Sequence, residues 1–250
     1  MSDQLVVVIT SVSRGIGYAL AELYLARSNC TVVGGYRDEN APGVSNLKTM
    51  PRGEGSKLVL VKMESAVPAD AARAVEDMKA TGIDRIDILI ANAGISPPIT
   101  SLERVDLDEV ASTFKVNSLG PLALYQACYA LLKASSSPKF VPISSAAGSL
   151  GPMHGNGAWV APAYCISKAT LNWIALGAHC GNEWLVSFAV NPGLVATDMG
   201  NKTAAYLGLD KAPHTQEYSA ERIITLIDNA TRETTSGKFL DAISGKQLPW

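Results

Sequence analysis

The sequence predicts an α/β fold, a doubly wound parallel sheet of about seven strands with helices on both faces. Short β-branched segments alternate with longer segments of helical periodicity along the whole chain of 250 residues. Several short segments, such as Val6–Ile9 and Ile86–Ile90, are apolar at nearly every position, which is typical of strands that helices cover on both sides. No linker interrupts this alternation, so we expect one domain, 1–250.

The strands and helices can be placed individually from their composition and period. The candidate strands are Leu5–Thr10, Thr31–Gly35, Lys57–Met63, Ile86–Ala91, Lys139–Ile143 and Leu185–Val190. The candidate helices are Gly15–Ser28, Pro68–Ala80, Val105–Lys133 and Pro162–Cys180. Pro121 is expected to bend the third helix, because proline has no N–H to donate. Segments 38–55 and 149–161, rich in Gly, Pro and Ser, are expected to be loops within the domain.

The composition excludes several classes of protein. Hydrophobic residues make up 47% of the chain and charged residues 18%, which is typical of a globular protein. The formal net charge is −2, so no overall positive field would attract nucleic acid or an anionic membrane. No apolar segment approaches the roughly 20 residues that a membrane span requires. We therefore expect a soluble enzyme whose partner is a small molecule, with neither nucleic acid nor membrane.

The cysteine and histidine patterns indicate a reducing compartment and no metal. The first apolar segment lacks a basic region before it and a small-residue cleavage site after it, so it is interpreted as a strand and not as a signal peptide. The three histidines share no metal-ligand spacing. The four cysteines lack a Cys-x-x-Cys pair and are expected to be small buried side chains in a cytoplasmic protein: Cys30, Cys128, Cys165 and Cys180.

A glycine-containing turn follows the first candidate strand and opens the first helix. A Gly-x-Gly pair alone is weak evidence, but its place at this junction favours dinucleotide binding. Glycine lets the backbone approach a pyrophosphate, and the helix N-terminus supplies N–H donors and a favourable dipole. The turn has the sequence Thr10-Ser-Val-Ser-Arg-Gly-Ile-Gly17, and its candidate cofactor contacts are Ser11, Ser13, Arg14, Gly15, Ile16 and Gly17.

Two arginines predict which cofactor binds. The second strand ends in Gly34-Gly-Tyr-Arg37, where no carboxylate is available for the 2′-hydroxyl of an NAD ribose. Arg14 and Arg37 instead offer two guanidinium groups suited to a 2′-phosphate. Either arginine alone could be an ordinary surface residue, but both together favour NADP(H) over NAD(H).

A tyrosine and a lysine four residues apart form the candidate catalytic centre. In Tyr164-Cys-Ile-Ser-Lys168 this spacing places the phenol and the ammonium on one face of a helix. A neighbouring positive charge is expected to lower the pKa of the phenol, so that it can exchange a proton with a carbonyl or an alcohol. Ser144 and Ser145, at the end of a candidate strand, offer a hydroxyl to the substrate oxygen.

With these motifs in this order, the chain resembles the short-chain dehydrogenase/reductase family over nearly its whole length, which implies a Rossmann fold. The resemblance implies that Ser145, in Ile143-Ser-Ser-Ala-Ala-Gly148, is the catalytic serine and that Tyr164 is the acid/base. It also implies that Lys168 binds the nicotinamide ribose and lowers the pKa of the tyrosine. Asn117, in Val116-Asn-Ser-Leu-Gly-Pro121, matches the asparagine that holds a water for proton relay.

The resemblance implies further cofactor contacts along the chain. Asn92, Ala93 and Gly94 match the segment that supports the sheet and lines the adenosine side. In Asn191-Pro-Gly-Leu-Val-Ala-Thr197, which matches the segment beside the nicotinamide carboxamide, the implied contacts are Pro192, Gly193, Val195 and Thr197.

Within that family the chain is most similar to a fungal group, the norsolorinic-acid-ketoreductase-like reductases. The resemblance rests on Thr81–Asp87, His179–Trp184, Ser236–Leu240 and the closing Pro249-Trp250. These segments identify a subgroup and not a substrate.

The chain departs from the family pattern at three places. Ser11 stands where the family has its first glycine, so its Cβ is expected to crowd the turn. Glu64 stands where the family usually has an aspartate near the adenine amine. Residues 151–161 are an insertion between Ser145 and Tyr164, so Ser145 is chosen over Ser144 from its motif and not from its spacing.

The sequence thus predicts an NADPH-dependent ketoreductase acting on a small, aromatic or polyketide-type carbonyl compound. Two loops, 149–161 and 198–212, are expected to shape the substrate site, the second as a mobile lid. The candidate substrate contacts are Met153, His154 and Trp159, although the tryptophan could instead pack on its own domain. By analogy with the family we expect a homodimer or homotetramer paired through the third and fourth candidate helices.

Other functions remain open at this point. A dehydrogenase working in the oxidative direction, or a dehydratase or cyclase, could use the same residues, and the Arg14/Arg37 pair favours reduction with NADPH. A non-catalytic NADP(H) sensor is the alternative from another class. The complete set of Asn117, Ser145, Tyr164 and Lys168 argues against a sensor, which needs no acid/base.

Overall fold

The fold is an α/β fold with a parallel central sheet. A computed structural model describes residues 4–156 and 158–250, so residues 1–3 of the predicted domain and residue 157 of the predicted substrate loop lie outside the described residues. Its strands are β1 Leu5–Thr10, β2 Cys30–Tyr36, β3 Lys57–Lys62, β4 Ile88–Ala91, β5 Lys139–Pro142, β6 Val186–Ser187, β7 Ala189–Asn191, β8 Phe239–Asp241 and β9 Gln247–Leu248. Its helices are α1 Gly15–Leu25, α2 Pro42–Thr49, α3 Pro68–Ala80, α4 Leu107–Phe114, α5 Gly120–Lys133, α6 Met153–Asn156, α7 Pro162–Gly181, α8 Asp198–Tyr206 and α9 Gln216–Asp228.

The main sheet has the strand order β3-β2-β1-β4-β5-β6, and every pair in it is parallel. Successive residues of β1 face opposite sides of the sheet, as the pleat requires. Val7 and Ile9 belong to the core that includes α1 and α9, whereas Val6 and Val8 belong to the core on the other side. The predicted doubly wound α/β fold is confirmed, and the chain reverses its winding direction beside β1 and β4, where such folds bind ligands.

The edge of the sheet differs from the predicted seven strands. The candidate strand Leu185–Val190 divides into β6, which pairs with β5, and β7, which pairs with β8. Strands β7, β8 and β9 form a second, three-stranded sheet, and a bridge between Ile143 and Val190 joins β7 to the end of β5. The main ladder therefore contains six strands, and β8, which the sequence analysis did not place, is added through β7.

Three segments expected as loops contain helices, and one of them, 149–161, includes the four-residue α6. Segment 38–55 includes α2, which begins with Pro42 in its first turn, where a missing N–H is not needed. Segment 198–212, expected as a mobile lid, includes α8, whose first turn is capped by the Thr197 hydroxyl accepting from the Gly200 N–H at 3.0 Å.

The long third helix is interrupted where Pro121 predicts a bend. Between α4 and α5 lies a π-helical turn, Lys115–Leu119, and Pro121 occupies the first turn of α5. A π turn inserted in an α-helix is often found at a functional site. Here it contains Asn117 and buries it completely.

Other sequence expectations concern burial and membranes. Three of the four cysteines are buried as predicted, but Cys180 is exposed because it lies in the last turn of α7, at the surface. Across residues 4–156 and 158–250, no helix is both long and apolar enough to cross a membrane.

Candidate active site

The glycine turn after β1 lies at the carboxyl edge of the sheet. Ser11 has a φ of 61° and Gly15 a φ of 64°, both in the left-handed region. A Cβ on Gly17 would lie 2.3 Å from the Ser11 carbonyl oxygen, so only glycine fits there. The Thr10 hydroxyl accepts hydrogen bonds from the Asn92 and Ala93 N–H groups, each at 2.9 Å. These bonds join the end of β1 to the segment after β4.

The N-terminus of α1 presents unpaired donors to this turn. Within α1, which is described in full, no side chain caps the first turn and that turn contains no acidic residue. The first N–H groups of a helix have no partner inside it, and the helix dipole favours an anion beside them. The turn therefore fits the pyrophosphate of a dinucleotide.

Ten of the predicted cofactor residues line one cleft of ≈210 Å³. They are Ser11, Arg14, Gly15, Ile16, Asn92, Gly94, Tyr164, Lys168, Pro192 and Thr197. Glu64 and Ala93 line a small separate depression together with Met63 and Pro68. Val195 is buried and Ser13 faces α2, where its carbonyl leaves no room for a Cβ on Gly43. Gly17 lies beneath the turn, and Gly193, with a φ of 84°, shapes the backbone after β7.

The two arginines expected to share one phosphate are each paired with a carboxylate. Arg14 Nη1 lies 2.6 Å from Asp198 Oδ2, at the start of α8. Arg37 Nε lies 3.7 Å from Glu64 Oε2. Arg14, Asp198 and Arg37 have side chains about three-quarters exposed, so these ion pairs are weak and easily exchanged for another anion.

The serine, tyrosine and lysine of the candidate catalytic centre lie close together, and the tyrosine and the lysine line the cleft. The Ser145 hydroxyl is hydrogen-bonded to the Tyr164 phenol. The Lys168 ammonium lies 5.7 Å from the centroid of the Tyr164 ring and donates to the Ile143 carbonyl at 2.7 Å. Ser144 also lines the cleft, but its buried hydroxyl is engaged elsewhere, because it donates to Asn172 Oδ1 at 2.6 Å. Of the two serines, Ser145 is the one beside the tyrosine.

Burial dominates the ionisation of both groups. It raises the pKa of Tyr164 to about 12, against a smaller lowering by the hydrogen bond from Ser145. It lowers the pKa of Lys168 to about 8, since that ammonium is only 3% exposed. The sequence predicted a tyrosine pKa lowered toward neutrality by the lysine. In this structure burial instead raises the pKa of Tyr164, so the phenol keeps its proton at pH 7.

Asn117 has its side-chain amide fully engaged behind the cleft. Its Oδ1 accepts from the Ile95 N–H at 2.8 Å, and its Nδ2 donates to the Ile95 carbonyl and to the Ser167 hydroxyl. A Cβ on Gly94 would lie 3.4 Å from Asn117 Oδ1 and 3.6 Å from Lys168 Nζ. The asparagine therefore stands beside the lysine and fixes the π turn to the segment after β4.

The predicted substrate residues separate into two environments. Met153 and Trp159 line an apolar cavity of ≈380 Å³, enclosed by the 149–160 segment and one face of α7. Its other lining residues include Leu150, Ala147 and Cys165. Ala147 and Cys165 follow Ser145 and Tyr164 closely in sequence, so the cavity adjoins the catalytic pair. His154 is exposed and does not line this cavity.

The cleft includes residues that the sequence analysis missed. Met199 and Asp198 line it from the first turn of α8, and Gln216 lines it from the start of α9. The Gln216 amide donates to the Ala196 carbonyl at 2.8 Å, which joins α9 to the segment after β7. Asp198 and Met199 directly follow the predicted contact Thr197, a usable signal. Nothing in the sequence pattern indicates Gln216.

Comparison with known proteins gives the same fold. The family model "short chain dehydrogenase" matches residues 5–207. The chain is 44% identical to the short-chain dehydrogenase srdF of Neurospora crassa, over 100% of this chain and 99% of that protein. It is 36% identical to the norsolorinic acid ketoreductase nor1 of Dothistroma septosporum, over 97% of this chain and 91% of the relative. The solved structure of NADPH-bound carbonyl reductase from chicken fatty liver superposes with a TM-score of 0.86 at 27% identity, covering 99% and 95% of the two chains.

A doubly wound sheet, a glycine turn at its carboxyl edge and a Ser–Tyr–Lys centre beside it define a nicotinamide-dependent oxidoreductase. The chain belongs to the short-chain dehydrogenase/reductase family. The family and the fungal ketoreductase group expected from the sequence are both confirmed.

Proposed function

We propose that this protein is an NADPH-dependent ketoreductase that reduces a carbonyl group of a small, aromatic or polyketide-type compound. The observation that carries the proposal is that Tyr164 and Lys168 line the dinucleotide cleft together, with the Ser145 hydroxyl hydrogen-bonded to the Tyr164 phenol. The relatives named as ketoreductases and carbonyl reductases support this reading.

Each residue of the site has a separate role in the proposed reduction. NADPH, when bound in the cleft, supplies hydride to the carbonyl carbon. Tyr164 donates its proton to the carbonyl oxygen, and burial keeps that proton in place until the oxygen gains negative charge. Ser145 donates a hydrogen bond to the same oxygen and so stabilises the charge that develops there. Lys168 binds the nicotinamide ribose and, with the Asn117 segment, returns a proton to Tyr164.

The proposed preference for NADPH rests on Arg14 and Arg37. A 2′-phosphate would replace Asp198 and Glu64 as the partner of these guanidinium groups and form stronger, charge-assisted hydrogen bonds. Asp38, the carboxylate next to Arg37 in sequence, accepts from the Asn40 N–H at 2.9 Å and so is engaged with its own loop.

The cofactor preference is tested by Arg37→Ala. Loss of one charged hydrogen bond costs about 1.5–3 kcal/mol, so the Kd for NADPH should rise roughly 10- to 100-fold while the Kd for NADH stays constant. Arg104→Ala removes an exposed arginine outside the cleft-lining residues and serves as the control. Equal affinities of the wild-type protein for NADPH and NADH would contradict the proposal.

The apolar cavity supports an aromatic substrate. Its ≈380 Å³ lie in the range of about 300–1,000 Å³ usual for small-molecule sites. Trp159, Met153 and Leu150 offer ring and thioether surface against which a flat, apolar molecule can pack. We propose that the ring system of the substrate lies there while its carbonyl group reaches Ser145 and Tyr164.

The decisive experiment measures NADPH oxidation with a panel of aromatic ketones, quinones and simple aldehydes. Tyr164→Phe should bind NADPH normally and lose at least roughly 100-fold in kcat, the usual size of acid catalysis. Tyr129→Phe removes a phenol on α5 that donates to Asn182, and it should leave turnover unchanged. NADPH binding without turnover of any panel member would instead favour a sensor, and oxidation of alcohols alone would favour a dehydrogenase.

We also propose a homodimer or homotetramer in the cytoplasm. The apolar side chains exposed on α4, α5 and α7 support an oligomer. The burial of three cysteines is typical of thiols in a reducing compartment.

A further inference from the structure

Two segments far apart in the sequence, 149–151 and 249–250, are joined by three hydrogen bonds. The Ser149 hydroxyl donates to the Pro249 carbonyl at 2.7 Å. The Leu150 and Gly151 N–H groups both donate to the Trp250 oxygen, each at 3.1 Å. A Cβ on Gly151 would lie 3.6 Å from Pro249 Cβ and from that same oxygen. These contacts, called here the loop-to-tail contact, fix the beginning of the 149–160 segment.

The tail side of this contact is itself held by the core. The Trp250 ring stacks on Phe239, with ring centroids 5.8 Å apart and an interplanar angle of 19°. Phe239 is fully buried in β8, packed with Ala175 of α7 and Ala189 of β7. Strand β9 pairs antiparallel with β8 just before the tail, through Leu248 opposite Phe239. The tail is therefore a rigid support for the segment that it contacts.

The segment that the tail supports forms one wall of the apolar cavity. Leu150, Met153 and Trp159 supply this wall, and Ile166 and Ala169 of α7 lie opposite. At the far end, the Val160 carbonyl accepts from the Thr100 N–H at 2.9 Å. The segment is thus tied at both ends, and a shift of its first residues would change the width of the cavity. Ser145, Tyr164 and Lys168 do not line this cavity.

We infer that Ser149, Pro249 and Trp250 are positioning residues that determine which ketones the enzyme accepts. This inference rests on the proposed ketoreductase function and adds the element that sets its substrate range. The loop-to-tail contact keeps the cavity wide enough and ordered enough to bind a fused-ring aryl ketone. Binding of a short aliphatic aldehyde does not depend on this contact.

The test compares Ser149→Ala with Ser244→Ala. Ser149 is buried and donates to the tail, whereas Ser244 lies between β8 and β9 and donates to Asp241 at 2.8 Å, away from the loop. Ser149→Ala should raise the KM for a fused-ring aryl ketone at least fivefold. Its kcat/KM for a short aldehyde and its Kd for NADPH should change less than twofold. Trp250→Ala should act like Ser149→Ala, and Ser244→Ala should match the wild-type protein.

The readouts separate this inference from the proposed function. Unchanged KM values for the aryl ketone in both Ser149→Ala and Trp250→Ala would overturn the inference. An equal loss of kcat/KM for the ketone and the aldehyde and of affinity for NADPH would also overturn it, since such a loss indicates general unfolding. If the wild-type protein reduces no ketone, the proposed function fails. In that case the inference is tested by measuring the binding of the same aryl ketone by calorimetry. The inference requires that the wild-type and Ser244→Ala proteins bind the ketone and that Ser149→Ala binds it at least fivefold more weakly.

Discussion

Ser11 has a backbone conformation that is unfavourable for a residue with a Cβ. Its φ of 61° lies in the left-handed region, where a Cβ costs about 1–2 kcal/mol. A glycine at this position would lower the free energy of unfolding by about 0.5–1 kcal/mol, because it increases the entropy of the unfolded chain. We therefore expect Ser11→Gly to raise the free energy of unfolding by roughly 0.5–1 kcal/mol, measured by urea denaturation.

The matched control for this change lies two residues away. Ser13 is not in the left-handed region, so Ser13→Gly should lower the free energy of unfolding by about 0.5–1 kcal/mol. A destabilised Ser11→Gly protein would contradict the assignment of strain to Ser11. Titration of the same variant with NADPH shows whether the serine also weakens the cofactor site, and an unchanged Kd would mean that it does not.

Lys168 makes stability depend on pH in the alkaline range. Burial lowers its pKa to about 8 in the folded protein, whereas the unfolded chain keeps the ordinary value near 10.4. Between these values the unfolded chain binds more protons, so raising the pH favours the folded state. Relative to Lys168→Met, the wild-type protein should gain roughly 3 kcal/mol between pH 8 and 10.4, and no gain should appear between pH 6 and 7.

Denaturation at several pH values measures this difference directly. Tyr164, whose pKa burial raises to about 12, titrates in both proteins and is largely removed by the subtraction. A difference that stays constant from pH 6 to 10 would show that Lys168 has an ordinary pKa.

Site residues that belong to a local sequence motif could be predicted. Contacts between residues far apart in the sequence could not, because they depend on the fold. The turn at Gly15–Gly17 and the Tyr164–Lys168 spacing are local patterns, so the sequence contains them. The pairing of Arg14 with Asp198 joins residues 184 positions apart, and that depends on how α8 lies across the cleft. The raised pKa of Tyr164 likewise depends on burial, which no spacing reveals.

At the scale of elements, the predictable parts are those with a strong period. Strands β1 to β3 and helix α3 follow their apolar patterns closely. Helices α2, α8 and α9 were missed. For α2 and α8 the reason is that eight or nine residues rich in Gly, Asn, Ser and Thr have low intrinsic helix propensity. Helix α8 begins instead through the Thr197 cap, and a helix start fixed by one hydrogen bond and tertiary packing gives little signal in the sequence.

The first turn of α8 provides a test of that element. A Cβ on Gly200 would lie 1.8 Å from the Val195 carbonyl oxygen, which is backbone and cannot easily move. Gly200→Ala should therefore displace the start of α8, at a cost of roughly 1–3 kcal/mol in the free energy of unfolding. Because Thr197 and Met199 line the cleft, the Kd for the nicotinamide cofactor should rise as well.

Gly181 at the end of α7 offers a matched control, since a Cβ there would meet nothing within 4 Å. Gly181→Ala should leave the free energy of unfolding within about 0.5 kcal/mol of the wild-type value. Thermal denaturation and cofactor titration of the two alanine variants measure both effects. Equal behaviour of the two would show that α8 tolerates the added methyl group by a local shift.

For the whole molecule, the positions of individual charges matter more for cofactor binding than the net charge. A net charge of −2 excludes a global field, yet Arg14 lines the dinucleotide cleft and Arg37 lies beside Glu64 of the neighbouring depression, each paired with its own carboxylate. Several large apolar side chains are exposed on α4, α5 and α7. Trp173 is 72% exposed on α7, Leu107 is exposed on α4, which packs against α7, and Tyr129 is exposed on α5.

Exposed aromatic and aliphatic groups on adjoining helices are costly in water and are usually covered by another subunit. We expect the wild-type protein to sediment at two or four times the chain mass at micromolar concentration. Trp173→Glu would bury a charge in that interface, so it should sediment as a single chain. Leu209→Glu places the same charge at an exposed apolar residue beyond α8, and it should keep the wild-type mass. A wild-type protein of single-chain mass would contradict the proposed oligomer, and an oligomeric Trp173→Glu would place the interface on another face.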